Sequence, residues 1–361
     1  MKYTQIGKYS VPLIGQGCAS IGEDSSVDYV RNVREGIVHG LSLIDTAEVY
    51  GDGESEKVIG KAIKGLRDTV FICTKVSPNH LSYKDILLSA DNSLKRLGTD
   101  VIDLYQIHWP NDDVNIDEIM DAFEHLHETK KVRYFGVSNF LPTDFEKINI
   151  RELNFVTNQI EYNLFDRFAE KGIIPYFDSL GMKTISYSPL NRGDVGGDVM
   201  NALSEKYGKT VSQIALNWLS SNGIISIPAS SNIDHIMENA SSCDFEMDKD
   251  DLDLITDKVR GEITYVNTSQ IVVADGGYGG HKVYYTKEEA LENKYDFCPS
   301  PKDIASVFLS ASEDQLSYIK PVRVMDENGK LNLYEGRIRY WAWTIAFGDD
   351  RPIPIYIVKK G

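Results

Sequence analysis

The sequence predicts an α/β protein: a (β/α)8 TIM barrel entered through an N-terminal hairpin and followed by a small, separate α+β unit. Three observations predict it. Residues 1–260 alternate strand-like apolar runs with amphipathic stretches, and eight such units in about 250 residues is the pattern of a barrel. Asp45, Tyr50, Lys75 and His108 fall at or just past the ends of successive apolar runs, where a barrel of this kind carries its reactive groups. Near residue 262 the alternation stops and a β-rich segment begins.

The elements follow in order. A hairpin is expected over residues 3–6 and 11–13, with the turn at 7–10. Eight strands are expected at 14–17, 42–45, 70–75, 102–107, 134–138, 156–160, 184–187 and 224–227. Between them, residues 116–131 place Ile116, Ile119, Phe123 and Leu126 on one helical face, and 211–219 form a second helix. The later unit has a β-rich stretch at 262–274 and a loop at 275–280 (DGGYGG). A helix follows from Thr286, its N-cap, with Glu289 at the capping-box position. Strands are expected at 321–325 and 330–334 around a turn at 326–329, then a helix at 336–347 and a strand at 353–358. Two domains result, 1–260 and 261–361.

Composition narrows the class. The chain has 361 residues, 42% of them hydrophobic, enough for a sizeable core. A net charge of −16 argues against direct binding of nucleic acid or of an anionic membrane. No apolar run approaches the roughly 20 residues of a membrane span. The N-terminus lacks a charged start followed by an apolar signal core. Cys18, Cys73, Cys243 and Cys298 lie far apart without a CxxC, which reads as reduced thiols in a cytoplasmic protein. His125 and His127 are two apart on a helix and do not share a face, so they read as solvated surface, and no metal is expected. Cys18 and Cys73 read as small core residues, and Trp341 and Trp343 as core rather than base-stacking groups.

The four strand-end residues make a proton relay possible. A tyrosine titrates near 10 and is a poor acid at neutral pH. A neighbouring Lys⁺ favours the phenolate and lowers that value, and a carboxylate keeps the lysine charged and in place. Tyr50 then becomes able to protonate a carbonyl oxygen. The competing reading of Asp45 and Lys75 is a structural ion pair inside a barrel.

The runs GLSLIDTAEVYGDGESEKVIGKAI, ICTKV, LYQIHWP, VRYFGVSNF, TNQIEYNLF, ISYSPL and IPASSNIDHIMENA, taken together and in this order, resemble aldo-keto reductases over residues 1–258. That family is a (β/α)8 barrel that uses NADP or NAD without a Rossmann fold, and no GxGxxG follows a strand here. The resemblance implies Tyr50 as proton donor, Lys75 and Asp45 as its tuning pair, and His108 as the group that orients the carbonyl. It implies Ser138, Asn139 and Gln159 around the nicotinamide carboxamide and Tyr187 stacked on the ring. Ser188, Pro189 and Leu190 would line the pyrophosphate path, Ser230 the ribose-phosphate end, and Glu238 and Asn239 the adenine. Trp109, after His108, is expected as an aromatic wall of the substrate pocket, with core packing as the alternative. Residues 191–199 (NRGDVGGDV) are expected as a lid over the pyrophosphate. Many NADP-preferring members carry Lys-Ser and then Arg five residues after that Ser; here the positions read Ala229, Ser230 and His235. Two cations for a 2′-phosphate are thus missing or weakened, which predicts a relaxed or NAD-leaning preference.

The segment IKPVRVMDENGKLNLYEGRIRYWAW…IPIYIV resembles the ParB/sulfiredoxin-like superfamily. That implies a phosphate site at Gly336, Arg337 and Arg339, with Glu335 as candidate base and a nucleoside triphosphate as ligand; surface ion pairs are the competing reading of the arginines. The leading expectation is an enzyme interconverting a small-molecule carbonyl and its alcohol. The alternatives are a bifunctional protein whose second domain binds or hydrolyses a nucleotide or phosphorylates a small molecule, and a redox-sensing adaptor without turnover. Oligomeric state is left open.

Overall fold

The first fifteen residues already do two jobs. Strand β1 (Tyr3–Ile6) pairs antiparallel with β2 (Tyr9–Pro12) across a turn that Gly7 enters at φ 55°. Ile6 and Val11 from this hairpin are buried with Leu43, Phe71, Leu104 and Tyr134, so it packs against the residues near the starts of the strands that follow. The computed structural model describes residues 1–111, 113–148, 153–259, 263–273, 283–295, 299–317 and 319–358. The loop expected at 275–280, His281 and Cys298 lie outside them. The chain forms two compact units, Met1–Asp166 with Gly172–Val259, and Arg167–Lys171 with the residues from 260 onward.

The first unit contains an eight-stranded parallel sheet in sequential order: β3 (Gln16–Gly17), β4 (Leu43–Asp45), β5 (Phe71–Val76), β6 (Ile102–Ile107), β7 (Val132–Ser138), β8 (Phe155–Glu161), β9 (Lys183–Tyr187) and β10 (Ile225–Ser226). It closes on itself: Ile14 bridges Ser226, Gly15 N–H donates to the Ser226 carbonyl (2.8 Å) and Gly17 N–H to that of Pro228 (3.1 Å). Both seam strands are only two residues long, shorter than the four expected at each.

Helices α1 (Tyr29–Val38), α2 (Glu54–Ala62), α3 (Tyr83–Leu97) and α4 (Ile116–Glu128) return the chain after β3 to β6. Asp28, Ser82 and Asn115 cap α1, α3 and α4 by accepting from the first-turn N–H groups. Ile119, Phe123 and Leu126 are buried as the pattern predicts, and Phe123 stacks on Phe135 at 4.5 Å. The helix ends at Glu128 rather than near 131: the Thr129 hydroxyl donates back to the His125 carbonyl (2.6 Å) and Lys130 takes the left-handed conformation at φ 59°, which stops the ladder. Next come α5 (Pro142–Phe145), α6 (Ile173–Ser179), α7 (Asp198–Tyr207), α8 (Val211–Ser221), α9 (Ile233–Ala240) and α10 (Lys249–Lys258). A capping box between Thr210 and Gln213 starts α8.

The second unit has a mixed five-stranded sheet built from β11 (Ile263–Val266), β12 (Ile271–Val272), β13 (Val322–Glu327), β14 (Lys330–Glu335) and β15 (Ile353–Val358), in the order β11-β15-β13-β14-β12. Strands β13 and β14 form the expected hairpin, with Asn328 and Gly329 at φ 58° and 82° and Asp326 accepting from Gly329 N–H (2.7 Å). Helices α11 (Lys287–Leu291), α12 (Pro301–Ser310), α13 (Glu313–Ser317) and α14 (Arg337–Ala346) complete the unit. Thr286 caps α11, but Glu289 reaches the N–H of Tyr285 (2.8 Å). Trp341 and Trp343 are buried, their indole N–H groups donating to the carbonyls of Tyr284 and Arg351 (3.0 and 2.9 Å).

The residues expected at a phosphate site in this unit have structural employment. Arg339 donates to the carbonyl of Lys320 (2.8 Å), and Glu335 pairs with the buried Arg323 (3.2 Å). Arg337 lies over the Tyr285 ring at 5.2 Å. Gly336 caps α14 at φ 91°, a conformation that excludes most side chains, and a Cβ there would meet Val322 at 3.1 Å.

Gly17 sits where the barrel seam leaves no space. A Cβ at this position would lie 2.5 Å from the Ile227 carbonyl oxygen, a backbone atom that cannot rotate away. Gly17→Ala is expected to destabilise the first unit by about 1–3 kcal/mol, measured by denaturant unfolding; unchanged stability would show that the seam yields.

Candidate active site

Side-chain alternation along strands decides what faces the barrel interior. Leu43 of β4, Phe71 and Cys73 of β5 and Leu104 of β6 all belong to the interior cluster. Two residues on from Leu43 is Asp45, two on from Cys73 is Lys75, and four on from Leu104 is His108. The same parity that builds the core therefore delivers three polar groups above it. Tyr50 joins them from the turn that begins after β4.

Asp45 and Lys75 are buried and paired, Nζ to Oδ1 at 2.5 Å, and Nζ also donates to the Thr46 carbonyl (2.8 Å). The other Asp45 oxygen accepts from Gln159 Nε2 (2.7 Å). Lys75 Nζ also lies 5.1 Å from the centre of the Tyr50 ring, close enough for its charge to act on the phenol. The Tyr50 and His108 rings meet edge to face at 5.6 Å. The four residues form one cluster.

Burial sets the direction of the proton-affinity shift at Asp45, Tyr50 and His108, but not at Lys75. It raises the Asp45 value, against the pull of Lys75. Burial lowers that of Lys75, but Asp45 and Tyr50 more than offset it and the net shift is upward, so the ammonium stays charged. Tyr50 moves upward, because burial outweighs the opposing effect of Lys75. This corrects the expectation that Lys75 brings the Tyr50 pKa below its ordinary value: the lysine limits the rise, and the phenol stays protonated at neutral pH. His108 is pushed down to about 3 by burial, with Lys75 adding to the shift, so its imidazole is neutral.

Above the cluster lies a cavity of about 790 Å³, within the range of small-molecule sites. Asp45, Tyr50, His108 and the half-exposed Trp109 line it, as do Ser138, Asn139, Gln159, Tyr187, Ser188, Pro189, Leu190, Ser230, Glu238 and Asn239. Lys75 does not reach the cavity; it is wholly buried beneath. Ala229 and His235, at the positions where cations were missed, also border the cavity. Sequence reasoning did not single out Gly17, Ala19, Ser212 and Pro228, which line the cavity. Nor did it assign a role to Cys18, expected only in the core, or to Arg192, treated only as part of the lid segment. Arg192 is the single Lys or Arg side chain lining it among the described residues. Glu335, Gly336, Arg337 and Arg339 belong to the other unit.

The cradle is preformed. Asn139, at φ 63°, donates to the His108 carbonyl (3.2 Å) and accepts from the Tyr187 hydroxyl (2.9 Å). Gln159 donates an amide N–H to Asp45, which fixes its side chain at the edge of the cavity. Ser188, Asn191 and Arg192 all take positive φ, at 48°, 46° and 59°. Such conformations cost about 1–3 kcal/mol each and gather at ligand sites. These donors, acceptors and ring fit a nicotinamide carboxamide and ring.

Among the described residues no helix is long and apolar enough to cross a membrane. Residues 14–260 match the model of the Aldo/keto reductase family. Methylglyoxal reductase YeaE of Escherichia coli (strain K12) is 35% identical over 260 residues, covering 69% of this chain and 91% of that protein. Glyoxal reductase of Bacillus subtilis (strain 168) is 32% identical over 250 residues, 68% of this chain and 88% of that protein. The crystal structure of an aldo/keto reductase from Klebsiella pneumoniae in complex with NADP and acetate is 32% identical, with a TM-score of 0.66, covering 70% of this chain and 93% of that one.

Lys75→Met leaves Asp45 charged, buried and unpaired, a loss of about 3–5 kcal/mol at neutral pH. Without the lowering effect of Lys75 the variant's Asp45 protonates at a higher pH than the wild type's, so the deficit is greatest where both are ionised and shrinks as falling pH protonates the variant's carboxyl. Urea unfolding at neutral and acidic pH checks this; a deficit that does not shrink with acid would assign it to lost packing.

Proposed function

The chain belongs to the aldo/keto reductase family, and from that premise we propose that Tyr50 hands the proton to the substrate oxygen while Lys75 and Asp45 set its acidity. The protein is an NAD(P)-dependent oxidoreductase that reduces a carbonyl to an alcohol. Ser138, Asn139, Gln159 and Tyr187 would hold the nicotinamide, which supplies hydride from C4 when bound. One observation carries the reading of the site: the buried Asp45–Lys75 pair, 2.5 Å apart, whose ammonium lies 5.1 Å from the centre of the Tyr50 ring. As the substrate oxygen gains negative charge, Tyr50 moves its phenolic proton to that oxygen and Lys75 stabilises the phenolate left behind. His108, neutral over the working range, offers an N–H to the same oxygen without competing as an acid. The buried aspartate holds the lysine charged and fixed throughout. Trp109, beside the histidine, is a wall for the substrate's apolar part.

The names of the E. coli and B. subtilis relatives point to small 2-oxoaldehydes, methylglyoxal first, as the substrate class. The second domain is not given a nucleotide in this reading, because Arg339 and Glu335 are engaged within their own unit. The adaptor reading gains no specific observation.

Tyr50→Phe removes the acid and keeps the ring. Turnover of methylglyoxal with NADPH or NADH should fall by about 10²–10⁴-fold while cofactor affinity, read by fluorescence quenching, stays within about twofold. Retained turnover would remove Tyr50 from the mechanism.

At the far end of the cavity, Ala229 offers no cation and His235 is exposed. The Ser230 hydroxyl engages Asn232 N–H (3.1 Å), a neutral turn rather than a phosphate clamp. NADH should therefore bind as well as NADPH. Ala229→Lys should tighten NADPH by about 10–100-fold and leave NADH unchanged, since one charged hydrogen bond contributes about 1.5–3 kcal/mol. A wild-type protein that already binds NADPH more tightly would refute this preference.

A further inference from the structure

Two loops and the end of one strand carry the reactive groups, and one short turn lies between them. Tyr50 follows β4, Lys75 stands one residue before the end of β5, and His108 directly follows β6. The turn is Ser77–His80, closed by His80 N–H donating to the Ser77 carbonyl (3.0 Å). It is held from both sides. Glu48, two residues before Tyr50, accepts from Ser77 N–H (2.6 Å) and pairs with His80 Nδ1 (3.0 Å) through the same oxygen. Its own N–H donates to the Lys75 carbonyl (3.3 Å). From the other side Asn111, three residues after His108, donates through Nδ2 to the Pro78 carbonyl (2.8 Å). Neither Glu48, His80 nor Asn111 lines the cavity.

The chemistry of Glu48 is out of proportion to a surface role. Its side chain is only 9% exposed, against 51% for its partner His80. A carboxylate so placed gives up water, and what it gains is a charged hydrogen bond to a backbone N–H in another loop. That bond joins the Tyr50 loop to the segment leaving Lys75. Asn111 joins the same segment to the His108 loop. The acid and the carbonyl-orienting imidazole are thus referenced to a common turn.

We infer that Glu48 and Asn111 are positioning residues, which fix Tyr50 relative to His108 by fastening both their loops to the Ser77–His80 turn. The inference rests on the proposed role of Tyr50. Proton transfer requires the phenol to be within hydrogen-bond reach of the substrate oxygen, and a displacement of about 1 Å costs about 10²-fold in rate. Glu48 does not line the cavity, so its loss acts on the rate and leaves binding of the dinucleotide in place.

The experiment measures kcat and KM for methylglyoxal, cofactor affinity and thermal midpoint for Glu48→Ala, Glu48→Gln, Asn111→Ala, the Glu48→Ala/Asn111→Ala double variant and Tyr50→Phe. Glu48→Ala is expected to lower kcat by about 10–100-fold with cofactor affinity within about twofold. Glu48→Gln keeps an acceptor for the Ser77 N–H and should recover most of the rate. Asn111→Ala, which carries the test if Glu48→Ala does not fold, should lower kcat by several-fold with binding unchanged. The double variant should fall by less than the product of the two, because both act through one turn. An unchanged kcat in both single variants, or a fall in kcat matched by lost cofactor affinity and a lowered midpoint, overturns the inference. If Tyr50→Phe itself retains turnover, the fault lies instead with the reading of Tyr50.

Discussion

The buried contact between Lys75 and Asp45 is the constraint on which the site depends. An ammonium without exposure to water must have its charge answered, and Asp45 and the Thr46 carbonyl supply that answer, with the Tyr50 ring centre 5.1 Å from the nitrogen. The same contact sets chemistry at two distances. Directly, it resists the upward drift that burial imposes on Tyr50. One shell out, it fixes Gln159 through the second carboxylate oxygen, which orients that amide within the cofactor cradle. A pair that gave only stability could be replaced by packed hydrocarbon at little loss. Here the charge also opposes the upward shift of the phenol.

Much of this was legible in the sequence because the barrel and the site obey one rule. A period of two along each strand sends Leu43, Cys73 and Leu104 inward, and Asp45, Lys75 and His108 share their parity. Reading the apolar runs therefore located the strand ends that carry these three groups as well as the core, and the eight barrel strands came within two residues at each end. The two-residue strands at the seam were overestimated because Ile14 and Ile227 are apolar and strand-like, whereas the ladder there is carried by the glycine and serine backbones.

What the sequence did not yield has equally physical causes. The direction of the Tyr50 shift depends on burial, which is a property of the folded loop and not of the residues beside it in the chain. Arg192 reaches the cavity from a segment whose left-handed residues are ordinary Asn and Arg, with no composition to announce them. Glu48 lay within the quoted motif but between more conspicuous neighbours, and its partners come from two residues of another loop. In the second unit the reverse occurred. Gly336 and the arginines around it look like a phosphate loop in sequence, yet the glycine answers a left-handed cap and Arg339 donates to the carbonyls of Lys320 and Pro321.

The division of labour between barrel and loops explains why strain is concentrated above the strands. Asn139, Ser188, Asn191 and Arg192 hold positive φ within the two stretches that border the cavity after β7 and β9. Each costs free energy that the closed sheet and its helices can offset, since a continuous parallel ladder leaves few alternatives to the loops it anchors. A site on strained loops can have groups aimed before ligand arrives: Asn139 is already bonded to both the His108 carbonyl and the Tyr187 hydroxyl. Preorganisation of that kind lowers the ordering entropy lost on binding a flexible dinucleotide. It also explains why the chemistry needs so few polar side chains: the backbone conformation of the loops, fixed by the barrel beneath, does the aiming that a less rigid scaffold would have to achieve with additional contacts.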